Sequence, residues 1–406
     1  MKDKPNPVVR LLGSYGLCIT LLLLLLILTF AGTWYQVEAG LFQAQKRYFE
    51  SWGLIQHLGP LRIPLPGGML VMGLLAVNLL FGGFVRIRKS ARTAGVLIVH
   101  TGIAMLLLAG IVKQQMSDDG GVMLFEGESA THYQDHYHWE VAVRELEPVP
   151  SSGMLRSTGE WVVGEESFRK ATADAPARLK AEGMPFDIWV RGYAANSQVM
   201  PKGPMWNSPF PVVEGFAIRA MEKSDQAEAN FPALYAEITP AGSTSEVGGM
   251  PVLLWGMANA PAMYSIGGRS YAIDVRKKRY PMPFELKLIK FTKEDHPRTR
   301  MARVFSSHVE KITEGGESIP VHIQMNEPLR SGGVTVFQSS WGPENARPNT
   351  PLFSGFSVVR NPSDKWPEWS CWVIAFGMTL AFGPRLLKYL GKESMQRRRA
   401  AEGKVQ

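Results

Sequence analysis

Four long apolar runs constrain the fold of this chain more than any other feature of its sequence. A helix needs about 20 mostly apolar residues to cross the hydrocarbon core of a bilayer. Four segments reach that length: Leu11 to about Trp34, Leu65 to about Val85, Ala94 to about Val112, and Trp366 to about Leu387. The first run is too long for the core of a signal peptide, and no small-residue cleavage site follows it. The sequence therefore predicts an integral membrane α-helical bundle of four transmembrane helices.

Lysine and arginine are concentrated beside these spans. Residues 114–368 carry 26 lysines and arginines against 31 acidic residues, whereas the rest of the chain carries 18 against 5. A nucleic-acid-binding protein would instead gather its positive charge along one binding face. The basic clusters fall in residues 1–10, 86–92 and 388–406. These three regions share one side if all four segments cross the bilayer, and the positive-inside rule makes that side cytoplasmic.

The polar block between the third and fourth spans has the pattern of a β-rich domain. Residues 321–326, 284–288, 216–219 and 186–190 alternate apolar and polar side chains, as strands with one buried face do. Glycine and proline are scattered between these runs, and the alanine-containing stretch 170–184 is the best candidate for a helix. We therefore expect a large β-rich extracytoplasmic domain, sandwich-like or barrel-like, over residues 114–365.

The remaining boundaries follow from these segments. Residues 1–113 form the predicted N-terminal membrane domain of three spans, residues 366–387 the fourth span, and residues 388–406 a basic cytoplasmic tail. Between the first two spans, residues 41–57 space their apolar side chains as an amphipathic helix does. That helix would lie on the outer membrane surface or pack beneath the outer domain, and the pattern allows both.

Sequence motifs exclude several kinds of chemistry. The two cysteines, Cys18 and Cys371, both lie in apolar runs, which excludes a disulfide framework, a CxxC thiol pair and a cysteine zinc site. There is no Walker A sequence, no GxGxxG, no HExxH and no GxSxG. Neither nucleotide binding nor hydrolysis by a familiar motif is indicated.

The chain has one cluster of histidines, in the outer block. His132 and His136 would share a face of a helix, and His136 and His138 would share a face of a strand. Either pair could bind a metal ion or haem iron. The alternative is an exposed segment rich in aromatic and imidazole side chains, because no pattern of carboxylate ligands accompanies the cluster.

His100 stands apart from the other histidines. It lies eight residues beyond Arg92, which places it about 12 Å into the third span. Ionisable groups at such depth are costly, usually face the bundle interior and mark functional sites. Gly95 and Gly102 flank it and would allow another helix or a flat ligand to approach closely. His100 is therefore a candidate haem ligand, or else a neutral imidazole hydrogen-bonded to Asn78 or to a carbonyl group.

Motifs at both ends of the chain point to a known family. At the N-terminal end they are the three-span architecture and Val99-His-Thr-Gly102 in the third span. The C-terminal motifs are Leu286–Phe291 with Asp295–Pro297, Phe305–Val309, Asn326–Leu329, Gly332-Gly333, Val336–Gly342, and Phe356–Pro362 directly before the last span. In this order and topology the motifs resemble the ResB family of system II cytochrome c biogenesis proteins. Phe337 stands where the family more often has tyrosine. The resemblance is weak over residues 147–271.

The resemblance implies a function in haem delivery in a bacterial-type inner (plasma) membrane. ResB-type proteins act with a ResC- or CcsA-type membrane protein that carries a Trp-rich haem-handling motif. Together they move haem b across the bilayer and present it to the CxxCH thiols of apocytochrome c. The histidine of the family's third span corresponds to His100. The Trp-rich motif is absent from this chain, which implies a subunit of a synthetase that is not catalytic alone.

Two other classes of function remain open at this stage. One is a membrane-anchored sensor or adaptor whose β-rich outer domain binds a ligand without haem. The other is a scaffold subunit of another transporter, with His100 in a proton path. Within the haem-delivery hypothesis, a strand pair of residues 321–326 and 334–340 would offer an exposed edge to extended apocytochrome, or would dock the partner's outer loops.

Overall fold

The computed structural model describes residues 7–87, 89–148, 155–203, 206–224, 226–243, 248–297, 302–343 and 350–402. Parts of the predicted basic clusters, including Lys2, Lys4, Arg88 and Lys404, lie outside these residues. The chain divides into two compact units. The helical unit comprises Met1–Ser117 with Asn361–Gln406, and the β unit comprises Asp118–Arg360.

Helices long enough to cross a membrane make up most of the helical unit. Its elements are α1 (Pro7–Leu12), α2 (Tyr15–Ala44), β1 (Gly53–Leu58), β2 (Leu61–Pro66), α3 (Gly68–Leu79), α4 (Ala94–Met116) and α5 (Trp366–Glu402). Short π-helical segments, Gln45–Phe49 and Leu80–Val85, extend α2 and α3. In the described part of the chain, four stretches are long and apolar enough to span: Tyr15–Phe49, Gly68–Val85, Ala94–Met116 and Trp366–Gln396. The predicted fold class, membrane helices with a β-rich domain, is confirmed.

The connection between α2 and α3 differs from the prediction. α2 is kinked at Gly40, whose φ of 76° is outside the helical region, and the chain remains helical to Phe49. Residues 53–66 then form the hairpin β1–β2 around Gly59, which has a φ of 60°. The amphipathic helix predicted over residues 41–57 is therefore wrong beyond residue 49. The glycine provides the left-handed turn residue that a tight hairpin needs, and the prolines on β2 disfavour a helix.

Glycines bring α4 and α5 into close contact. A Cβ atom on Gly95 would lie 2.6 Å from the backbone nitrogen of Ala381, and one on Gly377 would lie 2.8 Å from that of Val99. A Cβ atom on Gly102 would meet the side chain of Ile374 at 2.5 Å. Small residues at such positions let two membrane helices pack backbone to backbone. The glycines beside His100 therefore admit a helix, one of the two neighbours that the sequence allowed.

The β unit is built from sixteen strands among its described residues. They are β3 (Asp118–Phe125), β4 (Ser129–Pro148), β5 (Leu155–Gly164), β6 (Ala177–Leu179), β7 (Phe186–Ala194), β8 (Ser197–Pro201), β9 (Phe216–Ala220), β10 (Ala233–Pro240), β11 (Met250–Trp255), β12 (Ala262–Ile266), β13 (Arg269–Asp295), β14 (Ala302–Ile312), β15 (Ser318–Gln324), β16 (Leu329–Ser331), β17 (Val334–Gly342) and β18 (Phe353–Arg360). Three of the strands predicted from alternation lie within β7, β9 and β13, and the fourth, over residues 321–326, lies in β15 as far as Gln324 and continues into a turn.

Two long strands, β4 and β13, connect the two cores of this unit. The main sheet runs β15-β14-β13-β4-β3-β18-β17-β16, with β5 paired to β4 and β12 paired to β13. One core packs the first half of β4 and the second half of β13 against β14–β18 and includes Leu286, Val309 and Phe356. The other core packs the remaining halves against a four-stranded sheet, β11-β10-β7-β6, and includes Trp139 and Phe186.

Two predictions for this unit are wrong. Residues 170–184 contain no helix, because the chain turns through them and contributes only the short strand β6. Pro176 and Gly183, the latter with a φ of 76°, oppose a helix there. Residues 321–326 and 334–340 are not paired with each other either. β15 pairs with β14, and β17 pairs with β16 and β18.

Candidate functional site

His100 lies in the second turn of α4, beside the π-helical segment that follows α3. A Cβ atom on Gly83 would be 3.0 Å from Cγ and 3.1 Å from Cδ2 of the imidazole. Phe84 meets the same ring edge-on, with 6.4 Å between the ring centroids. Because Gly83 has no side chain, the imidazole fits against the backbone of this segment.

A cavity of about 600 Å³ opens beside His100 within the helical unit. Its walls are mainly apolar and come from α2, α3 and α4, with Leu22, Leu75, Ile103 and Leu107 among them. Binding sites for small molecules have this size and character, with a few polar groups that set the orientation of the ligand. The cavity can therefore hold a large apolar ligand in contact with the imidazole.

The imidazole lacks the partner that a structural role would give it. Nδ1 of His100 is buried without a hydrogen bond to any described residue. Asn78, the partner expected for a purely structural histidine, donates its amide to the carbonyl oxygens of Leu12 at 2.6 Å and Ser14 at 3.1 Å. A buried polar atom without a partner costs free energy. A ligand that accepts the nitrogen lone pair, or that hydrogen-bonds to this nitrogen, would remove that cost.

One cationic side chain also lines the cavity. Arg86 follows the π-helical segment, and its Nη1 donates a 3.1 Å hydrogen bond to the carbonyl oxygen of Gly13, just before α2. Gly82 makes room for this approach, since a Cβ atom there would lie 3.3 Å from the oxygen of Gly13. In the sequence, Arg86 is only one basic residue of a cluster, because no local pattern indicates that it lines a cavity.

The histidine cluster of residues 132–138 lies on β4, and its side chains do not come together as a set of metal ligands. His132 Nδ1 is 2.8 Å from Oγ1 of Thr131, and His138 Nδ1 is 3.0 Å from Oδ2 of Asp135. His136 packs edge-on against Tyr137. Among the residues that the structure describes, no three His, Cys, Asp or Glu side chains are placed to hold a metal ion. A metal site at His132, His136 and His138 stays a prediction without support from this arrangement.

Asp135 organises the polar groups around this cluster. Its Oδ1 accepts from the backbone N–H groups of Tyr137 and His138, and its Oδ2 accepts from the hydroxyl of Tyr280 at 3.0 Å. Burial opposes ionisation of this carboxyl, but the hydrogen bonds from His138 and the two N–H groups lower its pKa to about 2. The same contact with Asp135 raises the pKa of His138. The cluster is thus a buried carboxylate with donors on both oxygens.

Two histidines that are distant in sequence meet on the edge of the main sheet. His308 on β14 and His322 on β15 are directly opposed, and their rings stack with centroids 4.5 Å apart. Both side chains are exposed. Only the strand register brings them together, so the sequence could not reveal the pair.

The last strands of the β unit are similar to a known family. Residues 267–357 match the ResB-like family. The ResB-like segment includes β13–β17 and reaches into β18. This match confirms the resemblance carried by the C-terminal motifs and indicates a family of cytochrome c biogenesis proteins. His100 and the three N-terminal spans lie outside the matched residues. No curated protein matches the chain.

Proposed function

We propose that this protein is the ResB-type component of a system II cytochrome c maturation complex. In this role it helps to move haem b across the membrane and to attach it to the CxxCH thiols of apocytochrome c. The observation that carries the proposal is the unpartnered imidazole of His100 beside an apolar cavity large enough for a small-molecule ligand. The ResB-like match in the β unit supports it independently.

Several features of the helical unit support haem binding. Haem is the proposed cargo, and His100 would hold its iron through the imidazole. Leu22, Leu75 and Ile103 offer apolar surface for the macrocycle. Gly83 allows the imidazole to lie against the helix backbone, so the ring is held between that backbone and the cavity.

The β unit offers an edge for an extended peptide. β15 ends the main sheet and pairs with β14 on one side. An extended segment of apocytochrome could add to such an edge through backbone hydrogen bonds, with little demand on its sequence. We propose this edge in place of the strand pair expected from the sequence, since β17 lies inside the sheet.

A partner protein completes the proposed machinery. The chain has no Trp-rich haem-handling motif, which a ResC- or CcsA-type membrane protein would supply together with further histidine ligands. We therefore assign thioether formation to the complex and not to this chain alone. Multi-pass insertion with both termini cytoplasmic and the β unit outside belongs to the same proposal.

Replacing His100 with alanine tests the proposal directly. The His100→Ala variant should insert normally, because alanine suits a helix and removes a costly polar group. It should lose most of the haem that co-purifies with the wild-type protein, measured as Soret absorbance per mole of protein. His57→Ala is the matched control, because His57 lies on the β1–β2 hairpin and does not line the cavity. That variant should keep its haem.

Added imidazole provides a second readout, since a small ligand can occupy the place of the missing side chain. It should restore a six-coordinate spectrum and part of cytochrome c maturation in His100→Ala cells. If His100→Ala retains normal haem and normal maturation, His100 has no part in the mechanism.

A further inference from the structure

The cavity beside His100 is polar at one end. Ser14 and Arg86 line it where α2 begins and where the π-helical segment after α3 ends. His100 lies about 9 Å from the start of α4 by the helical rise. The arginine therefore lies at a helix end, and the imidazole lies about one and a half turns inside the bundle.

Arg86 has hydrogen-bonding capacity to spare. A guanidinium carries five N–H donors, and the carbonyl oxygen of Gly13 accepts from one of its nitrogens. The side chain is exposed. Among the described residues that line the cavity, Arg86 is the charged one and no carboxylate balances it. The cavity thus joins apolar walls to an unneutralised cation at one end.

This arrangement complements an amphipathic anion. Guanidinium groups bind carboxylates through short, charge-assisted and often bidentate hydrogen bonds. A flat apolar ligand with carboxylates along one edge would place that edge at the helix ends and its centre deeper in the bundle. Haem has this form, with an iron centre and two propionate carboxylates on one edge.

We infer that Arg86 binds the propionate carboxylates of the haem whose iron His100 holds, and so fixes the orientation of the haem in the cavity. The inference rests on the proposed function. Arg86 acts as a positioning and specificity residue: it distinguishes an anionic porphyrin from a neutral one. A basic residue that served only membrane topology would not make this distinction.

Two porphyrins and four proteins test the inference. The full-length wild type, Arg86→Gln, Arg86→Lys and Arg92→Gln are purified without haem in detergent. Each is titrated with haem and with haem dimethyl ester, whose carboxylates are blocked, and the Soret band is followed. Arg92→Gln is the matched control, because it removes the same charge from the same connection and Arg92 does not line the cavity.

The wild type and Arg92→Gln should both prefer haem over its ester. Both proteins should bind haem about tenfold more tightly than the ester. This factor corresponds to the lower end of the free energy of a charge-assisted hydrogen bond, because Arg86 is exposed. Arg86→Gln should bind the two porphyrins equally, with the ester bound as tightly as by wild type. Arg86→Lys should recover part of the preference, since it restores the charge without the planar fork.

The outcomes separate the two claims. If the wild type binds neither porphyrin, the proposed function fails and the assignment of Arg86 fails with it. If the wild type binds both porphyrins equally, or if Arg86→Gln keeps the preference, haem binding stands and the role of Arg86 is refuted. If Arg86→Gln weakens the binding of both porphyrins by the same factor, the substitution acts on the fold, which also refutes the inference.

Discussion

Substituting Asp135 with asparagine would change the stability of the β unit in a pH-dependent way. The carboxylate accepts from two backbone N–H groups, from His138 and from the hydroxyl of Tyr280. Asparagine keeps one acceptor oxygen for the N–H groups but places an NH₂ group where Oδ2 receives donors. The variant therefore loses the negative charge. Its NH₂ group, which is itself a donor, would face the two groups that donate to Oδ2, His138 and the hydroxyl of Tyr280.

The magnitude follows from the pKa of the carboxyl. Burial opposes ionisation of Asp135, but the hydrogen bonds from His138 and from the two backbone N–H groups lower its pKa from 3.8 to about 2. Each pKa unit corresponds to about 1.4 kcal/mol, so the ionised form contributes about 2 kcal/mol to the stability of the folded state. This contribution is present above pH 3.8 and is lost as the pH falls towards 2.

His138 makes the stability of the β unit depend on pH at the higher end of the range. Its pKa is raised above 6.5 by the hydrogen bond to Asp135, so its contribution is complete below pH 6.5. That contribution disappears as the pH rises through the raised value. The cluster should therefore stabilise the β unit most between about pH 4 and pH 6.5. The penalty of Asp135→Asn should be largest in that window.

Hydrogen exchange on the full-length protein can measure this effect locally. At pH 5.5, amides of β4 and of the adjoining part of β13 should lose about 30-fold in protection in Asp135→Asn, which corresponds to about 2 kcal/mol. Tyr280→Phe is the control, because it removes one donor and keeps the carboxylate. It should cost about 1 kcal/mol and leave the pH profile unchanged. Equal protection of Asp135→Asn and wild type at pH 5.5, or a loss independent of pH, would refute the reasoning.

Two further predictions concern the helical unit and the orientation of the chain. Gly83→Ala should weaken haem retention about tenfold, because its Cβ atom would lie 3.0 Å from the imidazole of His100 and displace it. Gly73→Ala on α3 is the control, because a Cβ atom there meets nothing within 4 Å, and this variant should retain haem. Soret absorbance compares the two variants. In a background without Cys18 and Cys371, an impermeant thiol reagent should label Ser157→Cys in intact cells and leave Ser394→Cys unlabelled; equal labelling would contradict the proposed orientation.

The elements predicted correctly from the sequence depend on local patterns. The spans follow from the length of each apolar run, and β7 and β15 follow from their alternation. The region between α2 and α3 shows the limit of this approach. The apolar spacing of residues 41–57 fits a helix, yet the register of β1 with β2 is decided by Gly59 and by contacts such as that of Arg47 with the carbonyl oxygen of Ile55. The helix predicted over residues 170–184 is absent for a similar reason. The composition of this stretch favours a helix, but one proline and one glycine prevent it.

The candidate site was predictable in part. The depth of His100 in its span pointed to function, but the cavity beside it is lined by α2 and α3 as well as by its own helix, α4. The sequence suggested Asn78 as a partner, whereas the amide of Asn78 satisfies the carbonyl groups before α2. Arg86 could not be distinguished from the other basic residues of its cluster until the ends of the helices were placed.

The strand order of the main sheet determines where this chain can be cut. The ResB-like segment begins just before β13 and ends within β18, yet β13 pairs with β4 and β18 pairs with β3. A fragment with the boundaries of that segment would leave both of these strand edges bare and would remove Leu124 and Tyr133 from the core. Unpaired edges invite intermolecular pairing and aggregation. A soluble fragment for structural or binding studies should therefore start at Asp118 and end at Arg360, the limits of the compact unit.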